Sequence, residues 1–133
     1  MPLLQFDTSV EASAEERERF TAAVTDLYAE EMATTTGHVA VVIREHPPAN
    51  LSLGRAEEGP LCLLSADIRE GRSFERKRSF ALAAMELAAE RFSIPEANLK
   101  VSFTEHAGEE LMGVDRVGGE WSEGESESES DSD

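Results

Sequence analysis

Three residues of this 133-residue chain have types and settings that chemistry can use. Pro2 follows Met1 and runs straight into an apolar stretch, Leu3-Leu4-Gln5-Phe6. A small second residue permits removal of Met1, which leaves the Pro2 nitrogen as a secondary amine able to take a proton. Burial disfavours a charged amine, so its pKa falls below the roughly 7.7–8.0 of an exposed α-amino group. A base poised near neutrality is what proton abstraction beside a carbonyl requires. The same position also suits a plain structural role, because proline is tolerated where a strand begins. The other two residues are Arg69 and Arg72, in Arg69-Glu70-Gly71-Arg72-Ser73. Two guanidiniums between a strand and a helix N-terminus make a good carboxylate site. The alternative is surface pairing with Glu70 or a neighbouring acid.

The elements that position these residues follow from patterning. Residues 3–7 read as a short strand. Ser13 with Glu16 has the capping-box form of a helix start. Phe20, Val24, Leu27, Tyr28 and Met32 then share one helical face, and 34–37 stops the helix. Residues 38–43 are apolar and largely β-branched, a second strand. Residues 47–60 are a connection with a possible edge ribbon. Residues 61–68 predict a third strand buried on both faces. Ser73 opens a second helix that turns Phe80, Ala81, Ala84, Met85, Leu87, Ala88 and Phe92 inward, 93–95 ends it, and 99–103 is the fourth strand.

The chain matches itself without a gap at a shift of 60 residues. Leu3, Leu4, Asp7, Ser13, Glu15 and Phe20 meet Leu63, Leu64, Asp67, Ser73, Glu75 and Phe80. Ala23, Leu27, Ala29, Glu30 and Val41 meet Ala83, Leu87, Ala89, Glu90 and Val101, and Glu45-His46 and Leu51 meet Glu105-His106 and Leu111. Chance would give roughly a quarter as many identities. Two β-α-β units, about 2–51 and 62–111, therefore build one α+β domain over 1–119. Its architecture is a four-stranded mixed sheet with two helices on one face. Val39, Val41, Cys62 and Leu64 alternate with further apolar residues, so the second sheet face is expected to be apolar and covered by another subunit. The first copy has Ser9-Val10-Glu11-Ala12-Ser13 where the second has its two arginines. After Trp121 the chain alternates serine with acids, and 120–133 predicts a disordered acidic tail.

Acids number 28 against 12 bases, a net −16. Residues 120–133 hold seven of the acids and no base, so 1–119 still carries 21 against 12, or −9. Lys77 and Lys100 are the two lysines. A lysine-poor acidic surface suits a halophilic protein kept soluble in strong salt. It argues against nucleic acid and anionic membranes as partners. The single Cys62 fits a reducing, cytoplasmic compartment, and neither a signal peptide nor a membrane span is visible. His38, His46 and His106 lack a metal-ligand spacing, so no metal is expected.

Together, the Pro2-led strand, the duplicated unit and Glu70-Gly71-Arg72-Ser73 followed by Lys77 resemble the tautomerase superfamily. That group contains 4-oxalocrotonate tautomerase and macrophage migration inhibitory factor. The chain looks most like the cis-3-chloroacrylic acid dehalogenase branch, from Pro2 to about Trp121, including the late Gly119-Glu120-Trp121. The resemblance implies a homotrimer with active sites near subunit boundaries and no cofactor. It implies Pro2 as the acid/base and Arg69 and Arg72 as the clamp on a small carboxylate substrate.

Three positions depart from that branch. Tyr28 stands where it uses a histidine late in the first helix. Ser102, with Phe103 beside it, stands where it uses a tyrosine in the last strand, and these two are candidates for lining the substrate site. Gly113 is nearest to its water-activating glutamate, with Glu109, Glu110 and Asp115 in the vicinity. Without that carboxylate, hydration of a haloacrylate loses its general base. Ketonising an enol needs only a proton carrier and an electrophilic partner. The expectation is therefore an isomerase in which Arg72 and Arg69 hold the carboxylate and Pro2 moves a proton between oxygen and carbon. Tyr28 either donates to the developing oxyanion or sits on the helix face with its hydroxyl at the rim. The alternatives are a dehalogenase-like hydratase or decarboxylase using the same residues, and a non-catalytic trimeric interaction protein with a degenerate site. If the surface is built for salt, the thermal midpoint of the chain rises clearly between dilute buffer and molar KCl. An unchanged midpoint in scanning calorimetry removes the halophilic assignment.

Overall fold

The computed structural model describes residues 1–125. Six elements carry the fold: β1 (Leu3–Thr8), α1 (Ala14–Glu31), β2 (Ala40–Glu45), β3 (Cys62–Arg69), α2 (Phe74–Phe92) and β4 (Leu99–His106). Each helix begins where its serine predicts. Ser13 Oγ accepts from the Glu16 N–H at 3.1 Å, and the Glu16 carboxylate accepts from the Ser13 N–H at 2.9 Å. Ser73 Oγ accepts from the Arg76 N–H at 3.2 Å. These bonds satisfy donors that a helix start otherwise leaves open. Past the helix ends, Ala33 and Ser93 take φ of +53° and +55°, the left-handed turn that closes a helix.

The sheet order is β2-β1-β3-β4. β1 runs parallel to β2 and β3 parallel to β4, while β1 and β3 pair antiparallel at the centre. The expected four-stranded mixed sheet with two helices is thus the observed one. The repeat extends to individual contacts. His46 meets Asp7 at 2.7 Å and His106 meets Asp67 at 2.9 Å. Arg17 pairs with Glu45 at 3.1 Å and Lys77 with Glu105 at 2.8 Å. Short 3₁₀ turns follow the outer strands at Pro48–Asn50 and Gly108–Glu110.

The core lies between the helices and one sheet face. Leu4, Phe6, Leu64, Ala66 and Ile68 pack with Phe20, Val24, Tyr28, Phe80, Ala84 and Ala88. Phe6 meets Phe20, and Tyr28 meets Phe80, edge-on at 5.0 and 5.1 Å between centroids. Two expectations are corrected here. Cys62 and Leu64 belong to this core, and Val39 and Val41 pack against it. β3 alternates buried with more exposed residues and has Ser65 exposed, so it is not buried on both faces. The face away from the helices carries Gln5, Asp7, Arg44, Ser65, Asp67, Lys100, Ser102 and Thr104, with Leu3, Val42 and Leu63 among them. An apolar run at the start of β3 had masked the period-2 alternation that follows it.

A third correction concerns the edge ribbon expected within 47–60, which forms no strand. Asn98, fully buried, holds its later part instead. Its Nδ2 donates to the carbonyls of Glu57 and Pro60, each at 2.9 Å, and its Oδ1 accepts from the Glu57 N–H at 2.7 Å. A longer fourth bond runs from Nδ2 to the Gly59 carbonyl at 3.4 Å, so Asn98→Ala removes four bonds at a fully buried position, and urea unfolding should show a loss of about 2–4 kcal/mol. A loss near zero would mean that the connection is held by other contacts.

Candidate active site

Pro2 is buried, and its carbonyl accepts from the Ala40 N–H at 3.0 Å. The register pairs Leu3 with Asp67 and with Ala40. Carried one residue further, it sets Pro2 beside Ile68, next to Arg69 at the end of β3. A Cβ placed on Gly113 would lie 3.8 Å from Met1 Cε, and Arg116 meets His38 at 3.2 Å. The start of β1, the end of β3 and the turn after β4 therefore converge at one end of the sheet.

Both arginines are held out of water there, Arg69 at 4% and Arg72 at 6% exposure. Arg69 Nη1 donates to the Gly119 carbonyl at 2.8 Å. Its Nη2 ion-pairs with the Glu125 carboxylate, to which the Thr34 hydroxyl also donates. Arg72 Nε donates to the Met32 carbonyl at 2.8 Å. Its guanidinium lies 4.9 Å from the centre of the Trp121 ring and 5.8 Å from that of Tyr28. Arg72 Nη1 is buried and has no hydrogen-bond partner among the described residues. Burial lowers the Arg72 pKa from its ordinary value, yet a guanidinium stays charged at any physiological pH.

Tyr28 is 1% exposed, so its hydroxyl is not at a solvent rim. Burial pushes the phenol up to about 12, against the opposing pull of Arg72 and Arg69. It is a neutral hydroxyl at neutral pH. Ser102 lies exposed on the open sheet face, paired with Ser65. Phe103 packs against the core with its ring 6.5 Å from that of Phe80. Neither belongs to the arginine cluster of its own chain. Glu109 and Asp115 are exposed, and Glu110 accepts from the Ala107 N–H at 3.1 Å.

The carboxylate that does reach the arginines is Glu125, at the end of a strap assigned from sequence to the tail. Trp121 Nε1 donates to the Ala33 carbonyl at 2.9 Å. Arg76 lies 5.5 Å from the Trp121 ring centre and donates to the Glu31 carbonyl and the Glu123 carboxylate, each at 3.0 Å. The strap leaves the fold where two backbones cross without side chains. A Cβ on Gly118 would lie 2.7 Å from the Gly108 carbonyl oxygen, so both glycines are needed there. The expectation of disorder over 126–133 lies outside the described residues. Sequence reasoning missed Thr34, Arg76 and Glu125. Glu125 looks like every other acid of a serine-acid run, and Trp121 was the one signal that the chain returns to the surface.

A scan against models of known protein families found no match, and a search of curated proteins found none either. Solved structures do match in fold. Pt0534 inactivated by 2-oxo-3-pentynoate is 17% identical, covers 87% of this chain and 94% of its own, and has a TM-score of 0.76. N1, a member of the cis-3-chloroacrylic acid dehalogenase family, is 22% identical, with 87% and 84% covered and a TM-score of 0.75. Macrophage migration inhibitory factor from Toxoplasma gondii is 14% identical, with 86% and 98% covered and a TM-score of 0.75. The chain has the fold of the tautomerase superfamily.

Tyr28 is the single tyrosine, so its ionisation is directly readable from ultraviolet absorbance. The expected midpoint is about 12, against an ordinary 10.0. Because the folded value lies above the unfolded one, the stability linked to this phenol is complete below pH about 10. It is lost as pH climbs toward 12, a change of about 3 kcal/mol. A midpoint near 10 would place the hydroxyl in water.

Proposed function

We propose that this protein is a cofactor-free isomerase of the tautomerase superfamily, with Pro2 as the acid/base for small carboxylated enols or 2-oxo acids. The observation that carries this is Arg72, a buried guanidinium whose Nη1 has no hydrogen-bond partner among the described residues. An unmet buried donor costs on the order of 1–3 kcal/mol. A substrate carboxylate would meet it with a charge-assisted bond. The fold, the burial of Pro2 beside the end of β3, and the neutral Tyr28 next to Arg72 support the same conclusion. So does the similar structure inactivated by 2-oxo-3-pentynoate, itself a small 2-oxo carboxylate.

In ketonisation, the Pro2 nitrogen, freed by removal of Met1, takes the enol O–H proton. The resulting ammonium returns a proton to carbon, and the carbon–oxygen bond becomes a carbonyl. Arg72 holds the carboxylate and draws electron density toward it. Tyr28 donates to the oxyanion while it lasts, a contribution of the kind worth about 2.7–4 kcal/mol where one such donor has been removed elsewhere. Hydration is less favoured, because Glu125 is tied to Arg69 and Thr34 and is not free to activate water. We also place the sites at the boundaries of a homotrimer. The exposed Met112, Val114 and Val117 on the turn after β4 offer apolar surface for such contact, and Ser102 on the open sheet face would line the substrate site from a neighbouring subunit, whereas Phe103 is committed to its own core.

Ketonisation of phenylenolpyruvate tests this. Pro2→Ala should lower kcat/KM by about 10²–10⁴-fold, and Arg72→Ala should lower it with a rise in KM. Mass spectrometry of the active chain should show Met1 removed. A retained Met1 in active protein, or full activity in Pro2→Ala, overturns the assignment. Chloride release from a cis-3-haloacrylate would establish the hydratase alternative instead.

A further inference from the structure

Arg69 and Arg72 are not equivalent, although the sequence pairs them. Arg69 already holds a carboxylate, and Arg72 does not. We propose that Glu125 sets the substrate class: it fills the seat made by Arg69 and Thr34, leaves Arg72 as the substrate cation, and so selects monocarboxylates over dicarboxylates. This rests on the isomerase assignment above.

The seat is built for a carboxylate. Arg69 Nη2 and the Thr34 hydroxyl converge on one oxygen of Glu125. Arg69 and Thr34 are 4% and 7% exposed, so the seat lies in protein rather than in water. The side chains of the ion pair are 5% and 9% exposed. The strap that delivers Glu125 is anchored away from the seat by Trp121 on Ala33 and Glu123 on Arg76, and at the seat by the Gly119 carbonyl on Arg69. The Glu125 carboxylate is also close enough to influence Tyr28 and Arg72, so it shares their electrostatic space. A ligand with one carboxylate docks on Arg72 and leaves Glu125 in place. A ligand with a second carboxylate nearby has to expel Glu125 or face its charge at short range. With Glu125 neutral, Arg69 becomes a second cation beside Arg72, and the site fits a dicarboxylate.

The test compares kcat/KM for phenylenolpyruvate, with one carboxylate, and 2-hydroxymuconate, with two. It uses the full chain, Glu125→Gln, and a variant that also carries Glu127→Gln and Glu129→Gln, the next two acids in the sequence. Glutamine keeps an acceptor for Thr34 and Arg69, and circular dichroism confirms that the variants fold. The ratio should move toward the dicarboxylate by about 10- to 100-fold in the triple variant. An unchanged ratio overturns the proposal, and so does an equal gain for both substrates, which would make the strap a simple lid. Calorimetric titration with glutarate and butyrate separates this from the chemistry. If no variant turns over either enol, the isomerase assignment fails. A selective gain in glutarate binding on loss of Glu125 then still upholds the seat, and no gain removes it.

Discussion

Two guanidiniums held out of water at one end of a sheet constrain everything around them. A charge taken from water is tolerable only if protein groups replace the lost solvation. The end of α1 supplies part of that replacement. Its last turn has no basic residue of its own, so its carbonyls present an uncompensated negative end. Arg72 donates to Met32 and Arg76 to Glu31. The start of α2 thereby caps the end of α1, and the two halves of the chain are joined at the site. Trp121 covers Arg72 and Arg76 with an aromatic face, and Glu125 balances Arg69.

The duplication separates framework from chemistry. The capping serines, the Asp–His pairs and the ion pairs that tie each helix to its outer strand occur in both halves. The arginines occur in one. At the corresponding place in the first half, Ser9 Oγ accepts from the Leu61 N–H at 3.0 Å, and Thr8 donates to the Leu61 carbonyl at 2.7 Å. That end of the sheet is closed by hydrogen bonds between the two halves of the chain. The other end is left to hold charge, and it depends on the strap to do so.

Much of this was legible in the sequence, because the signals were local or repeated. Ser13 with Glu16 fixes a helix start through bonds spanning three residues. The 60-residue self-match gives two β-α-β units before any packing is known. Arg69 and Arg72 stood out because the first copy makes the same turn without them. The rest depended on contacts that no local pattern encodes. Whether Tyr28 ends in the core or at a rim is decided by Phe80 and Arg72, which lie far along the chain. Glu125 meets Arg69 across 56 positions and Thr34 across 91, from within a segment whose composition reads as solvated. The polar second sheet face was obscured because β3 begins as an apolar run and shows its alternation only at Ser65 and Asp67.

The central antiparallel pairing of β1 with β3 has a further consequence. It gives the domain an approximate internal twofold, which carries each element of one half onto its counterpart. Pro2 falls on Cys62 under that operation. The nitrogen of Cys62 is an amide within a continuous chain and cannot be basic, whatever surrounds it. A folded subunit can copy strands, caps and ion pairs, but an amino terminus exists once. On the assignment made here, the symmetric scaffold is therefore limited to a single reactive pole per polypeptide, and planting arginines at Ser9 and Ala12 would create a second anion cradle without a second base.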